Sequence, residues 1–144
     1  GIVIICRVFD DDNEEELIMG LMDSLLGNSS TYSVEETTKE LKDVLFPEET
    51  VEQSYKLIRD LIVFTSHRLI LVDKQGMTGK KVEYHSIPYK SISHFSTETA
   101  GTFDLDSELK IYISSSTTPI QKTFKKGSHI DDVQKLLAYY VCGK

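Results

Sequence analysis

The stretch LIVFTSHRLILV, Leu61 to Val72, decides the fold. Two runs of β-branched, leucine and aromatic residues flank the polar pair Ser66-His67, the mark of a hairpin with a two-residue loop. That loop length sets the register: Thr65 faces Arg68, Phe64 faces Leu69, Val63 faces Ile70, Ile62 faces Leu71 and Leu61 faces Val72. Ile62, Phe64, Leu69 and Leu71 then share the bulkier face, which belongs in the core. Leu61, Val63, Ile70 and Val72 share the other. An apolar outer face of this kind needs a cover, because contiguous apolar surface is rarely left in water. The cover is the chain's own segment from Val34 to Phe46, a neighbouring subunit, or both.

Working outward, the period of two continues on either side of the hairpin. Val51, Tyr55 and Leu57 alternate with Glu52, Ser54 and Lys56, a half-buried strand. Lys74 to Lys81 is a glycine-bearing loop, and Lys81 to Ile87 alternates again up to Pro88. Ile92 to Thr99, Glu108 to Ile113 and Ile120 to Phe124 complete seven strands. Short turns and no intervening helices exclude a parallel α/β sheet. Upstream, Ser33 and Glu36 form a capping box that opens a helix over 34–46, stopped by Pro47. Leu21, Met22, Leu25 and Leu26 predict a shorter amphipathic helix over 20–27. At the other end a helix begins near Gly127-Ser128, with Asp131 and Asp132 in its first turn. Its stripe of Ile130, Val133, Leu136, Leu137, Tyr140 and Val141 is suited to cap an open, curved sheet.

The chain has 144 residues, the size of one ordinary domain that needs neither metal nor disulfide to hold a core. Its net charge of −7 is concentrated in residues 1–18, where six acids stand against Arg7. The remainder is nearly neutral, which argues against nucleic-acid binding. No apolar run is long enough to span a membrane as a helix. Two isolated cysteines, Cys6 and Cys142, make no disulfide framework or zinc site, which fits a reducing cytoplasm. Residues 1–18 read either as a strand gated by acids or as a stretch upstream of a natural start at Met19, with one domain over 19–144.

The order of seven strands and one C-terminal helix is that of a pleckstrin-homology-type fold. The phrases YKLIRDLIVFTSHRLILVDKQGMTGKKVEYHSIPYKSISHFSTETAG (Tyr55 to Gly101) and FDLDSELKIYIS (Phe103 to Ser114) closely resemble the bacterial pleckstrin-homology-like family. The resemblance runs from about Met19 to Tyr140 and leaves residues 2–18 outside, which favours the start at Met19. It implies a mainly β protein: a seven-stranded bent antiparallel barrel capped by the C-terminal helix, with one or two N-terminal helices. It also implies assembly of identical chains, as in a ring. A ring needs one heterologous contact repeated by rotation. Leu61, Val63, Ile70 and Val72 are accordingly the expected oligomer interface, with a neighbour supplying part of the cover. On that reading, Val63→Asp with Ile70→Lys shrinks the particles and leaves the fold intact.

Little chemistry stands out. No Gly-x-Ser-x-Gly elbow or Ser-His-acid order points to an enzyme, and no cofactor is implied. Lys74, Lys80 and Lys81 cluster on the glycine-bearing loop, where Gly76 and Gly79 would expose N–H groups to an anion. That loop lacks the spacing, the Ser/Thr and the helix of a nucleotide-binding P-loop. It carries the alternative reading, an anionic-ligand or membrane-surface binder. Lys56 and Arg59, at the place where lipid-binding relatives of the fold clamp an inositol phosphate, point to opposite strand faces. Glu83 and His85 share a face but are too few for a metal site. Asp104, Asp106 and Glu108 read as a solvated strand edge, and Lys122, Lys125 and Lys126 as lysines guarding one. The leading expectation is a non-catalytic, self-assembling module.

Overall fold

The computed structural model describes residues 33–57, 60–76, 80–99, 106–125 and 129–143. The readings on residues 1–18, the 20–27 helix, Arg59, Gly79, Asp104 and Lys126 lie outside them. The chain divides after Tyr89 into two compact units.

The first unit opens with α1 (Val34–Glu40), whose N-cap Ser33 accepts from Glu36 N–H at 3.3 Å. The helix is shorter than the 34–46 its pattern predicts. Turns follow from Leu41, where φ is −98°. The Val44 carbonyl, instead of continuing the helical ladder, accepts from Arg68 Nη2 at 2.8 Å. Pro47 disfavours helical backbone at Phe46 in any case.

An antiparallel sheet follows in the order β1 (Val51–Lys56), β2 (Leu61–Thr65), β3 (Arg68–Gln75), β4 (Lys81–Pro88). The β2–β3 register is the one the two-residue loop demands, from Phe64 opposite Leu69 to Leu61 opposite Val72. β1 departs from simple alternation. A bulge between Val51 and Gln53 places Val51 opposite Thr65 but Gln53 opposite Phe64. Val51 and Tyr55, which uninterrupted alternation puts on one face, therefore point to opposite faces. Tyr55, Ile62, Phe64, Leu69, Leu71 and Ile87 share one face and are buried.

The opposite face carries the main correction. Leu61, Val63, Ile70 and Val72 are at most 1% exposed in the single chain. They form one cluster with Leu41 and Val51, flanked by Val34, Val44, Leu45 and Val82. The cover is the chain's own α1 segment, so these four residues face inward and not toward a neighbour. Burying four such side chains is worth about 1.5–3 kcal/mol each, reason enough for a short helix to stay docked. A buried hydrogen bond from Thr37 Oγ1 to Ser54 Oγ, 2.8 Å long, pins α1 over β1.

The second unit holds the three-stranded sheet β5 (Ile92–Glu98), β6 (Ser107–Ile113), β7 (Ile120–Phe124), then α2 (Ile130–Leu137) and one π-helical turn, Ala138–Cys142. Leu109, Ile111 and Phe124 line one sheet face and are buried. α2 lies beside β5, where Thr97 Oγ1 donates to Gln134 Oε1 at 2.6 Å. Val133, Leu136, Leu137 and Tyr140 of the predicted stripe are buried, joined by Tyr139, while Ile130 and Val141 are half-buried. No helix among the described residues is long and apolar enough to cross a membrane.

Candidate functional site

The lysine loop does not converge on one point. Lys74 lies opposite Val82, on the face covered by α1, and its Nζ is 2.8 Å from Glu40 Oε1. Lys81 lies opposite Gln75 and so projects from the other face. Lys80 is exposed beyond the strand end. Gly76 takes φ +76°, the left-handed backbone that lets the chain turn out of β3. An anion held between Lys74 and Lys81 would have to sit on both sides of the sheet at once.

The other charged groups are satisfied in ways that suit a solvated edge. Lys125 reaches Asp106 at 3.4 Å, and Gln121 Nε2 donates to Glu108 Oε2 at 2.7 Å. Among the described residues no three His, Cys, Asp or Glu side chains gather as a metal site would require. His129 Nδ1 contacts Asp132 Oδ2 at 3.0 Å, a pair that steadies the start of α2.

A polar node that sequence reasoning missed ties α1 to the sheet. The Arg68 guanidinium donates through Nε and Nη2 to both Glu49 carboxylate oxygens, at 2.9 and 2.8 Å. Its Nη2 also donates to the Val44 carbonyl, and Nη1 to Ser86 Oγ at 2.9 Å. Thr65 Oγ1 donates to Glu49 Oε2 at 2.6 Å. The Tyr89 hydroxyl donates to the Thr65 carbonyl at 2.7 Å, and burial holds it protonated well above the usual phenol range. Each of the three guanidinium nitrogens of Arg68 thus has an internal acceptor. Burial pushes the Glu49 carboxyl up, but the hydrogen bonds from Arg68 and Thr65, with the Arg68 charge, outweigh it and hold the carboxyl low. The contribution of this pair is therefore present at neutral pH and is lost as pH falls below the ordinary value of 4.5. Arg68→Met strands a buried carboxylate and is expected to cost about 3–5 kcal/mol at neutral pH in urea melts. Its stability should then rise on mild acidification, the reverse of the unsubstituted chain, because protonation removes the stranded charge.

One surface stands out for what it leaves open. β4 is an edge strand paired to β3 without a bulge over eight positions, from Lys81 opposite Gln75 to Pro88 opposite Arg68. Four consecutive residues, Glu83, Tyr84, His85 and Ser86, are exposed, so both faces of the strand meet solvent. Long regular edges are what soluble proteins ordinarily blunt with bulges, prolines or lysines. Here Lys81 and Pro88 stand only at the ends. Tyr84, 39% exposed, is one of two large apolar side chains that the described surface displays, with Phe46.

A family model described as a bacterial PH domain matches residues 20–141. The chain is 62% identical over 121 residues to the uncharacterised protein YjqA of Bacillus subtilis (strain 168), covering 83% of this chain and 97% of that one. The crystal structure of a pleckstrin homology domain from Shewanella amazonensis SB2B is similar at a TM-score of 0.73 and 52% identity, covering 83% of this chain and 96% of that chain. A DUF1696-family protein with a pleckstrin-homology domain from Shewanella loihica PV-4 is similar at a TM-score of 0.69 and 48% identity, covering 78% of this chain and 96% of that chain.

Proposed function

The chain belongs to the bacterial PH domain family, and from that premise we propose that it works as a non-catalytic module that assembles with copies of itself. The observation that carries the reading is β4, a bulge-free edge exposed on both faces in a sheet whose apolar outer side is already covered by α1. Among the described residues no strand pairs with the outer side of β4, and an open ladder of backbone donors and acceptors is a surface on which one chain readily adds to another. The pairing of Lys74 with Glu40 weighs against the anionic-ligand alternative. Ring closure, if it occurs, takes a heterologous contact beyond the Leu61–Val72 strip, which the chain fills from within.

Light scattering on the full chain from micromolar to near-millimolar concentration tests the proposal. The expected mass is a multiple of 16.3 kDa that grows or plateaus with concentration. A constant monomer mass over the whole range overturns it.

A further inference from the structure

Of the six buried polar or charged side chains among the described residues, all but one have a partner within the chain. Thr37 bonds Ser54, Thr65 bonds Glu49, and Asp132 meets His129. Gln53 is the exception. It is 0% exposed, and neither its Nε2 nor its Oε1 has a hydrogen-bonding partner among the described residues. A carboxamide carries two N–H donors and two acceptor lone pairs, so leaving it buried and unpaired costs the desolvation of the whole group. Buried polar atoms without a protein partner are ordinarily satisfied by an ordered water or another bound molecule. We infer that the Gln53 amide is the polar end of an internal binding site, whose guest is a small neutral molecule presenting a donor and an acceptor side by side. The site goes beyond the self-assembly reading and does not depend on it.

Local structure sets the surroundings of the amide. Gln53 lies opposite Phe64 and two residues from Tyr55, so the three share one face of the sheet. The Tyr55 and Phe64 rings meet edge to face, their centroids 6.2 Å apart. Ile62, Leu69 and Leu71 are buried on that same face. The ladder is irregular at this place too. The bulge between Val51 and Gln53 breaks the β1–β2 register, and bulges re-aim side chains beside binding sites more often than elsewhere in a sheet.

These surroundings select the guest. In a primary amide the carbonyl oxygen and one N–H lie along a single edge, and that edge closes a ring with any group that offers a donor next to an acceptor. Water closes it with two hydrogen bonds. An un-ionised carboxyl or carboxamide head closes it equally well and lets an apolar remainder lie against aromatic and branched side chains. A carboxylate does not, because it has no donor for Oε1. Nor do Tyr55, Ile62, Phe64, Leu69 or Leu71 bring a cation to the face that would hold a buried anion.

Crystal structures of the full chain and of Gln53→Met, at a resolution that shows ordered water, test the site. The expected result is density for a guest within about 3.2 Å of Nε2 or Oε1 in the unsubstituted chain. That density should be lost in Gln53→Met, which keeps the length of the side chain without the amide. Mass spectrometry of small molecules released on denaturing each protein separates the two sources. A neutral acid or amide released only by the unsubstituted chain identifies an organic guest, and density with no released molecule identifies water. Should Gln53→Met fail to fold, the unsubstituted structure alone decides. A chain atom bonded to the amide in place of a guest, or no density beside it, overturns the proposal. So does a guest that stays when the amide is gone.

Discussion

Val63→Asp combined with Ile70→Lys is expected to leave a chain with no cooperative thermal melt. Both positions are fully buried and lie opposite each other beneath α1, against Leu41. The exchange removes two aliphatic side chains from a packed cluster, at roughly 0.5–3 kcal/mol each even before charge is considered. It also moves two ions out of water, at an effective penalty of several kcal/mol apiece that their mutual attraction offsets only with well-placed hydrogen bonds. The Thr37 and Ser54 hydroxyls beside this cluster already bond each other. The sum rivals or exceeds the roughly 5–15 kcal/mol by which domains are ordinarily stable. Far-UV dichroism and a melting curve decide the matter. A double variant that melts as the unsubstituted protein does, with only its particle size reduced, would put this strip on the surface after all.

Removal of residues 127–144 has an expected effect of the same order. Val133, Leu136, Leu137, Tyr139 and Tyr140 are each at most 5% exposed, and α2 lies against β5 through the Thr97–Gln134 hydrogen bond. Losing buried side chains of this size costs about 2–5 kcal/mol each, so the loss of five is beyond what one domain withstands. The shortened chain should show no near-UV dichroism and no cooperative transition. Retention of both would mean that α2 is an accessory to the fold.

What was legible in the sequence was the part fixed locally. The Ser66-His67 loop set the β2–β3 register, and alternation correctly placed Glu83 and His85 on one face of β4. The C-terminal stripe announced which side of α2 is buried. The β1 bulge was not legible, because an extra residue leaves no trace in a hydrophobic pattern interrupted by Gln53 and Ser54. Nor could the pattern say which cover the Leu61–Val72 face takes: an amphipathic helix of the same chain and a neighbouring subunit present the same apolar side chains. The Glu49–Arg68 node joins residues nineteen apart through a turn, and no periodicity links them. Lys74 looked available because three lysines fall close in sequence; strand parity splits them across two faces, and Glu40 takes one.

In the proposed assembly, copies meet along the polar β4 edge while the apolar face stays sealed by α1 in every copy. Hydrogen exchange read by mass spectrometry at low and high protein concentration addresses both halves at once. Peptides spanning Lys81–Pro88 should become markedly more protected as concentration rises, whereas those spanning Leu61–Val72 should be protected equally at both. Protection of β4 that does not change while the particle mass grows, or β2 and β3 amides that become protected only on assembly, would contradict it.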